Sequence, residues 1–174
     1  MAVQEERTQE REGGGGANIL DAAMIVLVSP LVIPALVLGL RPVAKTIVNP
    51  PELAPPSGFS HGIRAQGALL FLAGQTAQDA TGRIVARGDL VAQFRQALAN
   101  VAAVLQAGGG TPRDLVKVTF YVRDKRDYRE RAAAIGQVYR ELLGGHYPAT
   151  TLVEVSALWD DEALVEIDAI AVLD

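Results

Sequence analysis

The sequence predicts an α+β domain whose two helices pack on the same face of one sheet. Residues 148–174 carry the first sign of it. There, apolar and polar residues alternate over 151–155 and again over 164–172, the period of a half-buried strand. A polar turn, Trp159-Asp160-Asp161-Glu162, joins the two strands. Upstream, two segments place apolar residues at helical spacing, and a third alternating run separates them. Two helices divided by one strand pack most economically side by side on a single sheet face. The other face is then left with apolar strand residues that need a cover, which is a physical reason to expect an oligomer.

Taken in order, residues 49–58 (NPPELAPPSG) hold four prolines and predict an extended or turning entry. Residues 67–74 (GALLFLAG) form a short apolar run between glycines, which suits a buried strand better than a helix. Asp79, Thr81 and Gly82 mark a turn, and residues 83–86 read as a short returning strand. Asp89 caps a helix in which Leu90, Phe94, Leu98, Val101 and Leu105 share a face. Gly108-Gly109-Gly110 stops it; the run follows a helix and lacks Lys-Ser/Thr, so it is not a phosphate loop. Residues 114–122 alternate as a strand, and the charged residues 123–127 form a solvated turn. A second helix is expected from residue 127 to about 143, with Tyr128, Ile135, Val138, Tyr139 and Leu142 facing inward and Gly144-Gly145 ending it. The predicted order is β-β-α-β-α-β-β.

The first 44 residues are of another kind. Residues 1–16 hold four Glu against two Arg and end in four glycines, a composition that predicts no packed core. Residues 22–40 are 19 residues without a charge, broken by Pro30 and Pro34. As a helix this run would span about 28 Å, barely a membrane crossing. Three readings stand: translation starting at or near Val43, a membrane anchor, or a packed extra element. In the second, Arg41 and Lys45 would place the folded domain, residues 45–174, on the cytoplasmic side.

Composition narrows the function. The 174 residues have a formal net charge of −4, which disfavours nucleic acid as a partner. With no cysteine there is no thiol nucleophile and no Cys-based zinc site, and two distant histidines make a poor metal site. No cofactor is implied. What asks for explanation is Glu154, Glu166 and Asp168, carboxylates inside strong strand sequence, where they are costly unless solvated, paired or used.

These residues also carry a family pattern. Pro148-Ala149 followed by Val153-Glu154-Val155, a turn, and Val165-Glu166-Ile167 leading into Ala169-Ile170-Ala171-Val172 resembles the end of the reactive intermediate deaminase family (RidA/YjgF, endoribonuclease L-PSP-like). Gly74-Gln75 at a strand end and the strand DLVKVTFYV extend the resemblance, which covers about residues 45–172. It implies a chorismate-mutase-like fold, a mixed sheet with two helices on one face, forming a homotrimer with small-metabolite clefts between subunits. It further implies hydrolysis of a reactive imine or enamine with release of ammonia, in the cytoplasm; a non-catalytic ligand-binding trimer and a purely structural trimer are the alternatives.

In the resemblance, Glu166 takes the place of the glutamate that positions the attacking water. Family deaminases hold a substrate carboxylate with an arginine directly after Pro-Ala; here Thr150 stands there, and a threonine supplies no charge-assisted grip. Such a loss costs roughly 1.5–3 kcal/mol unless another cation, such as Arg64 or Arg123 of a neighbouring subunit, replaces it. Thr150 or Thr151 is expected to donate a hydrogen bond, Phe59 to line the cleft in place of the family's aromatic residue, and Gln75 and Tyr147 to contact the ligand. His146 and His61 are further cleft candidates. Gly136 falls where the family carries a polar residue facing the ligand.

Overall fold

The computed structural model describes residues 45–173; the readings made for residues 1–44 lie outside them. A four-stranded sheet has the order β3-β6-β4-β5, built from β3 (Ala68–Gln75), β4 (Leu115–Val122), β5 (Ala149–Glu154) and β6 (Val165–Leu173). β6 runs antiparallel to both β3 and β4, while β4 and β5 are parallel, so the sheet is mixed. Two short strands, β1 (Thr46–Val48) and β2 (Gly62–Arg64), pair antiparallel in a separate ribbon. The parallel β4–β5 pair needs a crossover, and the helices α2 (Lys125–Glu130) and α3 (Ala132–Leu143) supply it. The remaining helix, α1 (Leu90–Ala107), connects β3 to β4.

Alternation along the strands sorts the two sheet faces. Val165, Ile167, Ala169 and Ala171 of β6 are buried, as are Leu115, Val118, Phe120 and Val122 of β4. They meet the apolar stripe of α1, where Phe94, Leu98 and Val101 are fully buried, and Ile135, Val138 and Leu143 of α3. Phe94 packs against Phe120 with ring centroids 5.4 Å apart. Both long helices therefore cover one face, as expected. The opposite face leaves Leu69 60% and Phe71 70% exposed. Polar Lys117, Thr119, Tyr121, Thr151, Glu166 and Asp168 run beside them along the face, which is thus mixed rather than uniformly aliphatic.

Helix ends follow their local chemistry. The Asp89 carboxylate accepts from Val91 N and Ala92 N, satisfying two amides that have no partner within the helix. Asp124 does the same for α2, accepting from Arg126 N and Asp127 N. Gly144 closes α3 at φ 68°, a conformation that favours glycine.

The structure departs from the sequence reading in four places. The run 67–74 supplies the edge strand β3 rather than a buried one: Leu72 is its buried residue, and Leu69 and Phe71 are exposed on the uncovered face. Residues 83–86 do not form a strand: Ile84 makes one isolated bridge to Gln78 and packs with Ala77 and Ala163 in a small satellite cluster. The helix expected over 127–143 starts earlier, at Lys125, and breaks at Arg131 into two helices. The β1–β2 ribbon has no strong alternation in sequence and was not expected; Lys45, just before β1, pairs with Asp114 at the foot of β4.

Gln93 is the fully buried polar side chain on α1. Its Oε1 accepts from Leu164 N at 2.8 Å and its Nε2 donates to Glu162 O at 2.9 Å, fixing the turn that leads into β6. Gln93→Leu strands both backbone groups inside the protein, and a loss of about 2–3 kcal/mol in urea unfolding is expected. Burial also pushes the Tyr128 phenol up to about 12 from its ordinary 10.0. Because the folded value is raised, its contribution to stability is full below about pH 10 and is lost as pH rises towards 12. Alkaline denaturation followed by circular dichroism is expected to show this loss, and Tyr128→Phe to flatten its share of it.

Candidate functional site

The three strand carboxylates have three fates. Glu154 lies on the edge strand β5 and accepts from Lys125 N at 2.8 Å, tying β5 to the start of α2. Asp168 accepts from the Tyr121 hydroxyl at 2.9 Å. That hydrogen bond and, less, burial raise the Tyr121 phenol above its usual range. Lys117 lies near Asp168: burial lowers its ammonium below the ordinary lysine value, and the Asp168 charge opposes that drop. Its Nζ donates to Thr151 Oγ1 at 2.6 Å. None of the three is in an ion pair among the described residues, and Glu166 is the exception in that no hydrogen bond from the described residues holds its carboxylate either.

The space for Glu166 is made by a glycine at an irregularity. Between Leu72 and Gln75 the register of β3 against β6 shifts, so Ala73 and Gly74 bulge out of the ladder. A Cβ on Gly74 would fall 2.7 Å from Glu166 Cδ and closer still to Oε1. The carboxylate therefore lies over bare backbone, and no other residue type at position 74 leaves it room. It lines a cavity of about 300 Å³ with Gly74, Gln75, Gln78, Asn100 and Trp159. Asn100 donates to Thr76 O and Gln78 O, at 3.0 and 2.9 Å, and Asp160 accepts from Gln78 Nε2 at 2.8 Å, so the cavity wall is fixed by side-chain bonds. Trp159 is 94% exposed at its rim.

A second cavity, of about 390 Å³, opens on the helix side. The turn Ser57-Gly58, helix α3 at Ile135, Gly136 and Arg140, and Tyr147 surround it. Tyr147 stacks on Tyr139 with 5.4 Å between centroids and 7° between planes. The turn is bolted to the foot of β5: Ser60 N donates to Pro148 O at 3.0 Å and Ser60 Oγ to Tyr147 O at 2.7 Å.

The expected site residues thus divide. Glu166 and Gln75 share the first cavity, and Tyr147 lines the second. Phe59 stands beside the second cavity's Ser57-Gly58 turn, edge-on to His61 at 5.3 Å and outside the hydrophobic core. Thr150 belongs to the row of Val118 and Ala169, which faces the helices, whereas Glu166 belongs to the row of Tyr121 and faces away. Within one chain these two residues lie on opposite sides of the sheet. The Thr150 hydroxyl donates to Pro148 O at 3.0 Å. Thr151 faces the uncovered side, held by Lys117. His146 accepts no catalytic role from its geometry: its Nε2 bonds Leu115 O at 2.7 Å and its own carbonyl accepts from Tyr139. His61 is likewise used by its loop, with Nε2 on Ala54 O. Arg64 lies on β2 and Arg123 follows β4; neither lines either cavity. Asn100, Trp159 and Arg140 were not picked out as site residues from sequence.

A mixed sheet covered on one face by two helices, with a carboxylate isolated over a glycine bulge on its open side, defines an α+β domain with a prepared polar site. The comparisons give it a family. The endoribonuclease L-PSP family profile matches residues 50–173, and the chain belongs to that family, also known as RidA/YjgF. A RutC family protein of Pyrococcus horikoshii is 45% identical over 114 residues, 65% of this chain and 85% of that protein. The 2-iminobutanoate/2-iminopropanoate deaminase of Salmonella typhimurium is 34% identical over 132 residues, 74% of this chain and 98% of the relative. Among solved structures, a Rid family protein of Yersinia pestis of unknown function superposes with a TM-score of 0.67 at 37% identity, covering 74% of this chain and 98% of that one. The fold is therefore the RidA fold.

Gly74→Ala is expected to displace the Glu166 carboxylate from its seat without unfolding the sheet. A crystal structure of the variant with Glu166 turned out of the cavity is the expected result.

Proposed function

We propose that this protein hydrolyses a reactive imine or enamine of a small metabolite, releasing ammonia, in clefts completed between subunits. The observation that carries the reading is Glu166: a carboxylate with no ion-pair partner among the described residues, seated over Gly74 in a cavity of about 300 Å³. The naming of relatives as imine deaminases supports the same chemistry. In such a cleft Glu166 accepts a proton from a bound water as the water oxygen attacks the imine carbon. The nitrogen takes up a proton, giving a carbinolamine. Collapse of that species breaks the C–N bond, leaves a carbonyl product and expels ammonia. Holding the water and the imine carbon together supplies the rest of the advantage.

A cleft between subunits fits the division of the site. Glu166 faces the uncovered side of the sheet, while Thr150, Tyr147 and the turn carrying Phe59 lie towards the helices or at the β5 edge. A second copy seated on the uncovered face would bring its β5 edge to the first copy's Glu166. It would also cover Leu69 and Phe71. The homotrimer of the resemblance meets both needs. A non-catalytic ligand-binding trimer is the second reading, favoured by Thr150, an uncharged side chain whose hydroxyl is already donated to Pro148 O. The residues 22–40 bear on location alone, and we place the domain in the cytoplasm, free or tethered.

Ammonia release from freshly generated 2-iminopropanoate is the direct assay. Turnover above the spontaneous rate, reduced by about 10²–10⁴ in Glu166→Ala, is expected for a general acid–base role. A rate unchanged by Glu166→Ala moves the weight to ligand binding without catalysis.

A further inference from the structure

The cavity that holds Glu166 also presents an exposed aromatic ring, and among the described residues that line it none is basic. We propose that Trp159 and Glu166 together select a flat cationic group, so that the ligand taken here is a carboxylate-free protonated imine or an amidinium of similar shape. This rests on the imine-hydrolase reading above and names its substrate class, with Trp159 as the residue that sets specificity.

Trp159 is held out by a turn whose other members are tied down. Before it, Leu158 packs on the small cluster of Ala77, Ile84 and Ala163. After it, the Asp160 carboxylate accepts from Gln78 Nε2 at 2.8 Å, and the Asp160 carbonyl accepts from Ala163 N at 3.0 Å. Glu162 is fixed twice, since Gln93 donates to its carbonyl and Arg87 pairs with its carboxylate at 2.8 Å. The turn is therefore anchored on both sides of an indole that is itself 94% exposed. Single apolar residues on a surface need no explanation. This one stands at the mouth of a polar cavity, where a flat ligand can stack on it.

Charge decides which flat ligand fits. The Glu166 carboxylate has no ion pair or hydrogen bond among the described residues, so both oxygens are open to N–H donors. Two N–H groups on one carbon, as in an amidinium, meet a carboxylate in the paired geometry that a guanidinium uses. Asp160 adds a second negative charge to the wall, and Gln75, Gln78 and Asn100 carry none to offset it. A carboxylate ligand is repelled there, whereas the face of an indole attracts a cation. Thr150, on the helix side of the sheet, supplies no cation to reverse this. For a substrate R–CH=NH2+, the water oxygen bonds to carbon while Glu166 takes one water proton and hands it to nitrogen. The C–N bond then breaks, and the hydroxyl proton leaves with the nitrogen, giving R–CHO and NH4+.

Benzamidine, an amidinium at neutral pH, is the probe, and benzoate is its counterpart of the same shape and opposite charge. Trp159 is the chain's one tryptophan, so its fluorescence reports this site alone. Titrated into the full chain, benzamidine is expected to quench that fluorescence to saturation, and benzoate to leave it unchanged. By calorimetry, Glu166→Gln is expected to weaken benzamidine binding about ten- to hundredfold. Trp159→Ala is expected to weaken it about two- to fivefold, with Trp159→Phe recovering part of the loss. Because Trp159 lies outside the hydrophobic core, thermal unfolding of its variants is expected to match the parent. Benzoate bound as tightly as benzamidine, equal benzamidine affinity in Glu166→Gln, or no benzamidine binding to the parent chain overturns the assignment. The two proposals fail separately. Benzamidine binding that needs Glu166 and Trp159, without any imine turnover, keeps the cation selection and removes the hydrolase. Turnover of 2-iminopropanoate that needs Glu166, without benzamidine binding, keeps the hydrolase and removes the cation selection.

Discussion

The register of β6 between β3 and β4 is the constraint on which the rest depends. Val165, Ile167, Ala169 and Ala171 face α1, so Glu166 and Asp168 must face the other way. A slip of one residue would drive both carboxylates into the aliphatic core, at a cost no neighbouring cation could offset. The same register sets Glu166 beside Tyr121 and over Gly74. Folding energy and site geometry are thus fixed by one choice of pairing. Gln93 reinforces that choice from the helix by holding the backbone of Glu162 and Leu164 just before the strand begins.

Two glycines make the polar site possible, and they act by absence. At Gly74 and Gly136 a charged side chain occupies the volume that a Cβ would fill or crowd. Each charge is presented from regular secondary structure, one from a strand and one from a helix, which holds it more firmly than a loop would. The two lie in separate cavities of the single chain.

Much of the fold was legible because its signals are local. Strand β6, helix α1 with its Asp89 cap, and the strand β4 follow from periodicity and capping alone. The stretch 83–86 misled because Ile84-Val85 looks like strand sequence, yet Ile84 is used to seal a small cluster against Ala77 and Ala163. The break at Arg131 has no glycine or proline to announce it. For the site, Glu166 was legible as a carboxylate in strand sequence with a family counterpart. The opposite facing of Thr150 and Glu166 was not, because it depends on how β5 pairs with β4, a parallel pairing that no turn specifies.

The central claim is that the site is shared between copies, one giving Glu166 and another the helix-side cavity. Subunit mixing tests it most directly. Two chains are prepared, Glu166→Ala and Gly136→Trp, the second filling the helix-side cavity, and each is expected to be inactive alone. Co-refolding them is expected to restore part of the imine hydrolysis, since some clefts then combine an intact Glu166 with an intact cavity. Mixed oligomers that form but stay inactive would contradict a shared site and confine the chemistry to a single chain.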